Sequence, residues 1–157
     1  MKQQSFTLGF TLVELLVVIS IIGVLAGILL PNLLGMRERA RDTSAKGSLT
    51  QLRNALRLFY NDYQYYPESD TNSAILGCGP VATPELSACA ASFATSGVDG
   101  VTYMKDLPDS FSYTQTNAGD DYVLYIILEN ASDQEIADSV AHCGISPPVA
   151  GAYYACE

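Results

Sequence analysis

The sequence contains no tryptophan, one histidine and, beyond Arg57, one basic residue, Lys105. A single imidazole, His142, cannot supply the several histidines of a typical catalytic zinc centre, and none of the four cysteines stands in CxxC spacing, which argues against zinc. His142 does adjoin Cys143, but neighbours in sequence rarely present their side chains to each other. No constellation of nucleophile, base and orienting group is visible, so an enzyme is the least supported class. Charge is scarce as well: 16% of residues are charged against 48% hydrophobic, a balance too apolar for a disordered chain. A length of 157 residues makes one core the default.

What charge there is lies unevenly. Residues 1–57 hold seven basic and three acidic side chains, a balance of +4, whereas residues 58–157 hold one basic and fourteen acidic, a balance of −13. The second part reads as a solvated acidic head. Such a surface repels phosphate, so no nucleic acid is expected there. The basic side chains of 37–57 read as a solvated face or as partners of Glu38 and Asp42 before they read as a lipid or DNA site.

From Phe10 to Leu30 run 21 residues in which Glu14 is the only charge and Thr11 and Ser20 are the only other plainly polar side chains. As a helix they cover roughly 31 Å, enough to span a bilayer. A secretory signal has a shorter apolar region, about 7 to 15 residues, followed by a small-x-small cleavage site. Here Pro31 and Asn32 follow instead, and retention of the segment is expected. Ahead of it lie residues 1–9, polar and short, with Lys2 as their only charge.

The junction Gly9-Phe10-Thr11-Leu12-Val13-Glu14 resembles the class III leader of type IV pilins and of the pseudopilins of type II secretion. The resemblance implies a cut between Gly9 and Phe10 by a prepilin peptidase, with methylation of the new amino terminus at Phe10. Pro31 falls where that family commonly has a helix-kinking proline. Glu14 also has a physical reading, since a carboxylate at the bilayer centre costs about 2.5 to 3.5 kcal/mol. One turn from Phe10, it can reach headgroup water in a free subunit. In a dry bundle it needs a partner, and the resemblance implies the amino terminus of the neighbouring subunit. Gly23 and Gly27 form a small-xxx-small pair suited to close helix packing, although glycine is common in membrane helices generally. Together with Pro31 they weaken the helix, and the resemblance implies a segment that can lose helicity on assembly.

Orientation meets two opposing signals. Arg37, Arg39, Arg41 and Lys46 follow the span, and the positive-inside rule would keep them cytoplasmic. The leader and the four cysteines argue for export, and export is the expectation adopted.

Beyond Pro31 apolar residues recur at Ala45, Leu49, Leu52, Ala55, Leu56, Phe59, Tyr60 and Tyr63, in steps that predict an amphipathic helix. Pro67 is expected to stop it after Tyr65-Tyr66, giving a spine from Phe10 to about Gln64, roughly 80 Å long if continuous. Residues 67–100, rich in Ser, Thr, Gly, Pro and Ala, read as a long ordered loop. Strands are expected around Phe111–Thr114, over Tyr122–Leu128 and near Ala152–Ala155, with a turn at Asn117-Ala118-Gly119-Asp120. The continuously apolar second strand reads as central or covered on both sides. Ser132-Asp133-Gln134-Glu135 matches a capping box that opens a short helix through Val140.

Four cysteines allow three pairings. Cys78 with Cys89 and Cys143 with Cys156 is preferred because each closes a short loop, worth about 3 kcal/mol by chain entropy. The resemblance adds that many type IV pilins carry a similar terminal loop. It also brings calcium into consideration on Asp120, Asp121, Asp133, Glu135 or Asp138, but no calcium-loop spacing is present.

The chain is therefore expected to be α+β and type IV pilin-like: a leader (1–9), a transmembrane and assembly helix (10–30), the amphipathic half of the spine (31–66), and a disulfide-stapled head with an antiparallel sheet (67–157). The expected function is that of a filament subunit of the type II secretion kind. A type IV pilin for adhesion, motility or DNA uptake is the alternative within the family, and a permanent single-span protein with an acidic binding head is the alternative outside it. Expected partners are copies of itself or related subunits, the prepilin peptidase, the inner-membrane assembly machinery and lipid. No metal or other cofactor is expected.

Overall fold

The computed structural model describes residues 9–156, with the side chains of 29–34 outside that description. In chain order the elements are α1 (Leu12–Tyr63), a 3-10 turn (Pro84–Leu86), β1 (Phe93–Ala94), β2 (Thr102–Met104), β3 (Ser112–Thr116), a second 3-10 turn (Asn117–Gly119), β4 (Asp121–Ile127), α2 (Gln134–Cys143) and β5 (Ala152–Tyr154). The chain divides into two compact units, Met1–Glu38 and Arg39–Glu157. Among the described residues no helix is long and apolar enough to cross a membrane, and the described side chains of the apolar run end at Ile28.

In the second unit the helical period decides what is buried. Leu49, Leu52, Leu56 and Phe59, spaced three, four and three apart, are fully buried, with Ala55 beside them. They share a core with Tyr122, Leu124 and Ile126, the inward positions of β4. The three-stranded sheet has the antiparallel order β3-β4-β5, so the apolar β4 is its central strand. Its alternate residues Val123 and Tyr125 are half-buried and Ile127 is exposed, so the cover on the second face is partial. Phe59 anchors an aromatic cluster with Tyr63, Phe93 and Tyr103, ring centroids 4.5 to 5.4 Å away.

Several local features differ from expectation. α1 ends at Tyr63, ahead of Pro67, because Gln64 adopts a left-handed conformation (φ 61°). Its backbone N–H donates to the Tyr60 carbonyl, and its side-chain amide donates to the Tyr60 and Asn61 carbonyls, satisfying the open helix end. The loop over 67–100 contains β1, which pairs antiparallel with β2 to form a second small sheet. α2 begins one residue later than the capping-box reading, with Asp133 as N-cap accepting from the Glu135 N–H at 3.0 Å. Ser132 is instead part of a turn at Asn130, whose side chain accepts its N–H. The helix also runs on to Cys143, where left-handed Gly144 closes it.

The β3–β4 turn occupies the expected residues, with positive φ at Asn117, Ala118 and Gly119. Gly119 is the residue this turn demands. It is buried, its carbonyl accepts the Tyr66 N–H, and a Cβ there would lie 3.1 Å from that of Tyr65. Disulfides join Cys78 to Cys89 and Cys143 to Cys156, with Cα separations of 5.1 and 5.7 Å.

Both outer edges of the main sheet are engaged. On β3 the Tyr113 N–H donates to the Ser73 carbonyl and the Gln115 N–H to Ser69 Oγ. On β5 the Ala152 N–H donates to the Val149 carbonyl and the Tyr154 N–H to Ser139 Oγ on α2.

Three charged side chains of α1 hold the segment leaving β4. Asp42, only 4% exposed, accepts the backbone N–H groups of Glu129 and Asn130 at 2.9 and 3.0 Å. Arg41 forks onto Glu129, an exposed pair of small energetic weight. Lys46, largely buried and stacked over the Tyr153 ring, donates to Asp133 and Glu135. The Lys46 hydrogen bond, seconded by the Glu135 N–H, holds the Asp133 carboxyl below the usual range. Burial opposes the charge on Lys46, but its bonds to Asp133 and Glu135 prevail and raise its pKa. Because the folded Asp133 value is depressed, its stabilising contribution is complete above the ordinary aspartate pKa and is lost as pH falls through the folded value. The melting temperature of the detergent-solubilised chain should therefore hold from neutral pH to about pH 5 and decline below about pH 4. Lys46→Met should make that acid decline shallower, and an unchanged slope would show that the triad carries no linkage.

Candidate functional site

The first turn of α1 is built by two side chains that cap each other. Thr11 Oγ1 accepts the Glu14 N–H at 3.2 Å, and Glu14 Oε2 accepts both the Thr11 N–H (2.9 Å) and the Thr11 hydroxyl (2.7 Å). This is a capping box, Thr-x-x-Glu, that satisfies donors otherwise open at the helix start. Sequence reasoning singled out Glu14 for its charge and missed this role, although the four-residue signature Thr11-Leu12-Val13-Glu14 was there to find.

One turn further on, the Ser20 hydroxyl donates to the Val17 carbonyl at 2.7 Å. Thr11, Glu14 and Ser20 are the polar side chains of this stretch, and each has its partner within its own helix. The apolar side chains have none. From Leu12, 78% exposed, to Ile28, 68% exposed, large aliphatic residues stand open around the helix. Among the described residues a Cβ built at Gly23 or Gly27 would meet nothing within 4 Å, so neither glycine makes room for another described part of this chain. Gly9 and Phe10 precede the helix and are exposed, Phe10 by 86%. Pro31 lies within α1, and its side chain is among those not described. Residues 1–8 of the expected leader also fall outside the described residues.

The acidic residues considered for calcium are not gathered at one place. Asp133 and Glu135 are tied to Lys46, and Asp121 accepts the Tyr122 N–H. Among the described residues no group of three or more His, Cys, Asp or Glu side chains could hold a metal ion. His142 is exposed on α2, and the adjacent Cys143 is bonded to Cys156.

Known proteins agree with the character of this helix. The family described as the prokaryotic N-terminal methylation motif matches residues 1–30. The type II secretion system core protein G of Escherichia coli (strain K12) is 35% identical over 143 residues, covering 88% of this chain and 92% of that protein. The core protein G of Aeromonas hydrophila is 40% identical over 84 residues, 54% of this chain and 57% of its own length. The type IV wide pilus major component PilA4 of Thermus thermophilus is 40% identical over 76 residues, 48% of this chain and 56% of that protein. No solved structure matches the chain significantly. An exposed apolar helix start carrying the methylation motif, in a chain that aligns over most of its length with nearly all of the Escherichia coli protein, places the chain in the family of type II secretion system core protein G, as a pseudopilin-like structural subunit.

Proposed function

We propose that the chain is held in the inner membrane by Phe10–Leu30 and is cut and methylated at Phe10. It then polymerises through α1 into a pseudopilus that serves protein secretion, with its head on the periplasmic side. The observation that carries this reading is the open aliphatic rod of Leu12–Ile28 whose polar side chains, Glu14 and Ser20, bond to their own helix start and turn. Such a surface is compatible with lipid, where unsatisfied polar groups are costly, and with a bundle of like helices. Engagement of both sheet edges supports assembly through helices rather than strands. In the polymer, Glu14 receives the amino terminus of a neighbouring subunit, and Gly23 and Gly27 lie where helices approach closely.

The similarity to PilA4 favours a second reading, a subunit of a type IV pilus. Both readings require the same maturation. Intact mass of protein extracted from membranes of cells that carry a prepilin peptidase should correspond to residues 10–157, plus one methyl group and less the four hydrogens of two disulfides. Protein that still begins at Met1 would instead favour a permanent single-span membrane protein.

A further inference from the structure

Among the uncharged surfaces of the acidic head, two differ in shape. On α1, Gly47, Gln51, Asn54, Leu58 and Asn61 follow at steps of four, three, four and three, share one exposed face and are all uncharged. Leu58, 54% exposed, is the one exposed large aliphatic side chain described between Arg37 and Tyr63. The other face is concave. Residues 139–156 contain no Asp, Glu, Lys or Arg, although the head around them carries a balance of −13. There a groove of about 570 Å³ lies between α2 and the segment before β5, walled by Ile136, Ala137, Val140, Ala141 and Val149. Asp133, the one acid among its lining residues, is already held by Lys46.

We infer that the Gln51–Leu58 face of one copy seats in the α2 groove of a second copy. This rests on the filament reading above. An open-ended polymer of identical chains uses heterologous contacts, in which one patch meets a different patch on the next copy, so a convex and a concave surface on the same chain are what it requires. Heads of like charge repel one another, and interface cores are depleted of charged residues. The uncharged ridge and the uncharged groove can therefore meet without burying unpaired carboxylates. Leu58 supplies the apolar side chain that enters between Ile136, Val140 and Val149.

The test places a charge on each exposed surface in the full-length chain, expressed with its peptidase and assembly machinery. Asn54→Lys and Ala141→Glu change exposed side chains and leave the core intact. Each alone should lower sedimentable polymer at least tenfold while membrane-extracted subunit keeps its melting temperature, and the double variant should restore polymer to within about threefold of the parent. Two single variants that polymerise like the parent would overturn the inference and leave the filament reading standing. So would a double variant no better than the worse single, and so would disruption by Ala141→Glu alone, which would mean that something other than α1 occupies the groove. A parent chain that forms no polymer would remove the filament reading and this interface with it.

Discussion

Glu14→Gln is expected to leave the chain inserted and processed while reducing sedimentable polymer to background, and Thr11→Ala is expected to polymerise. The contrast separates the two roles open to the Glu14 carboxylate. Within one chain it caps Thr11, a contact worth about 1 kcal/mol that a neutral glutamine at the same position can also make. Between chains, under the proposed assembly, it meets a charged amine in a dry bundle. Leaving that amine buried without a counter-charge costs about 3 to 5 kcal/mol per contact, more than two orders of magnitude in the association constant. Thr11→Ala removes much of the cap and keeps the charge; Glu14→Gln keeps the cap and removes the charge. Polymer yield and the membrane-bound fraction, measured together, decide the matter. Normal polymer from Glu14→Gln would mean that Glu14 is a helix cap and nothing more.

Asp42→Ala should be the most destabilising single change outside the apolar core. The buried carboxylate accepts two backbone N–H groups, those of Glu129 and Asn130, where the chain leaves the central strand. Hydrogen bonds to a charged group contribute about 1.5 to 3 kcal/mol each, and alanine leaves both donors without an acceptor. A loss of about 3 kcal/mol or more follows, roughly 10 °C in melting temperature for a chain of this size. Asp42→Asn should fall in between, because its amide keeps one acceptor oxygen and turns an NH₂ group toward the other donor. Thermal unfolding of the detergent-solubilised chain measures both. Processing at Phe10 should be unaffected, since Asp42 lies beyond the first compact unit.

The parts legible in sequence were those specified by local spacing. The Gly9–Glu14 junction, the three-and-four recurrence from Leu49 to Phe59, and the Asn117–Asp120 turn each carry their signal within a few residues. The parts that were not legible depend on contacts across the chain or on elements too short to have a period. β1 has two residues and β2 three, joined by Phe93 packing on Tyr103 and set against α1 by Phe93 packing on Phe59, and neither is long enough to show an alternation that could be read. Lys46 meets Asp133 and Glu135 from 87 and 89 residues away, and spacing gave no reason to pair them. At 132–133 two adjacent residues could each cap a helix, and the turn at Asn130, a neighbour outside the motif, decides in favour of Asp133. At Glu14 two signals overlap: the expense of a charge in a greasy span points to assembly, while Thr11, three residues before it, completes a cap.

The occupied rims of the β3-β4-β5 sheet have a consequence for storage. Any chain held at high density is exposed to cross-β seeding, in which one molecule's open strand templates the next and amyloid grows without control. With Ser69 and Ser73 against one rim and Ser139 and Val149 against the other, the N–H groups of Tyr113, Gln115, Ala152 and Tyr154 are already taken and are not open to such a template. Under the proposed assembly, growth then runs through the exposed aliphatic rod of α1.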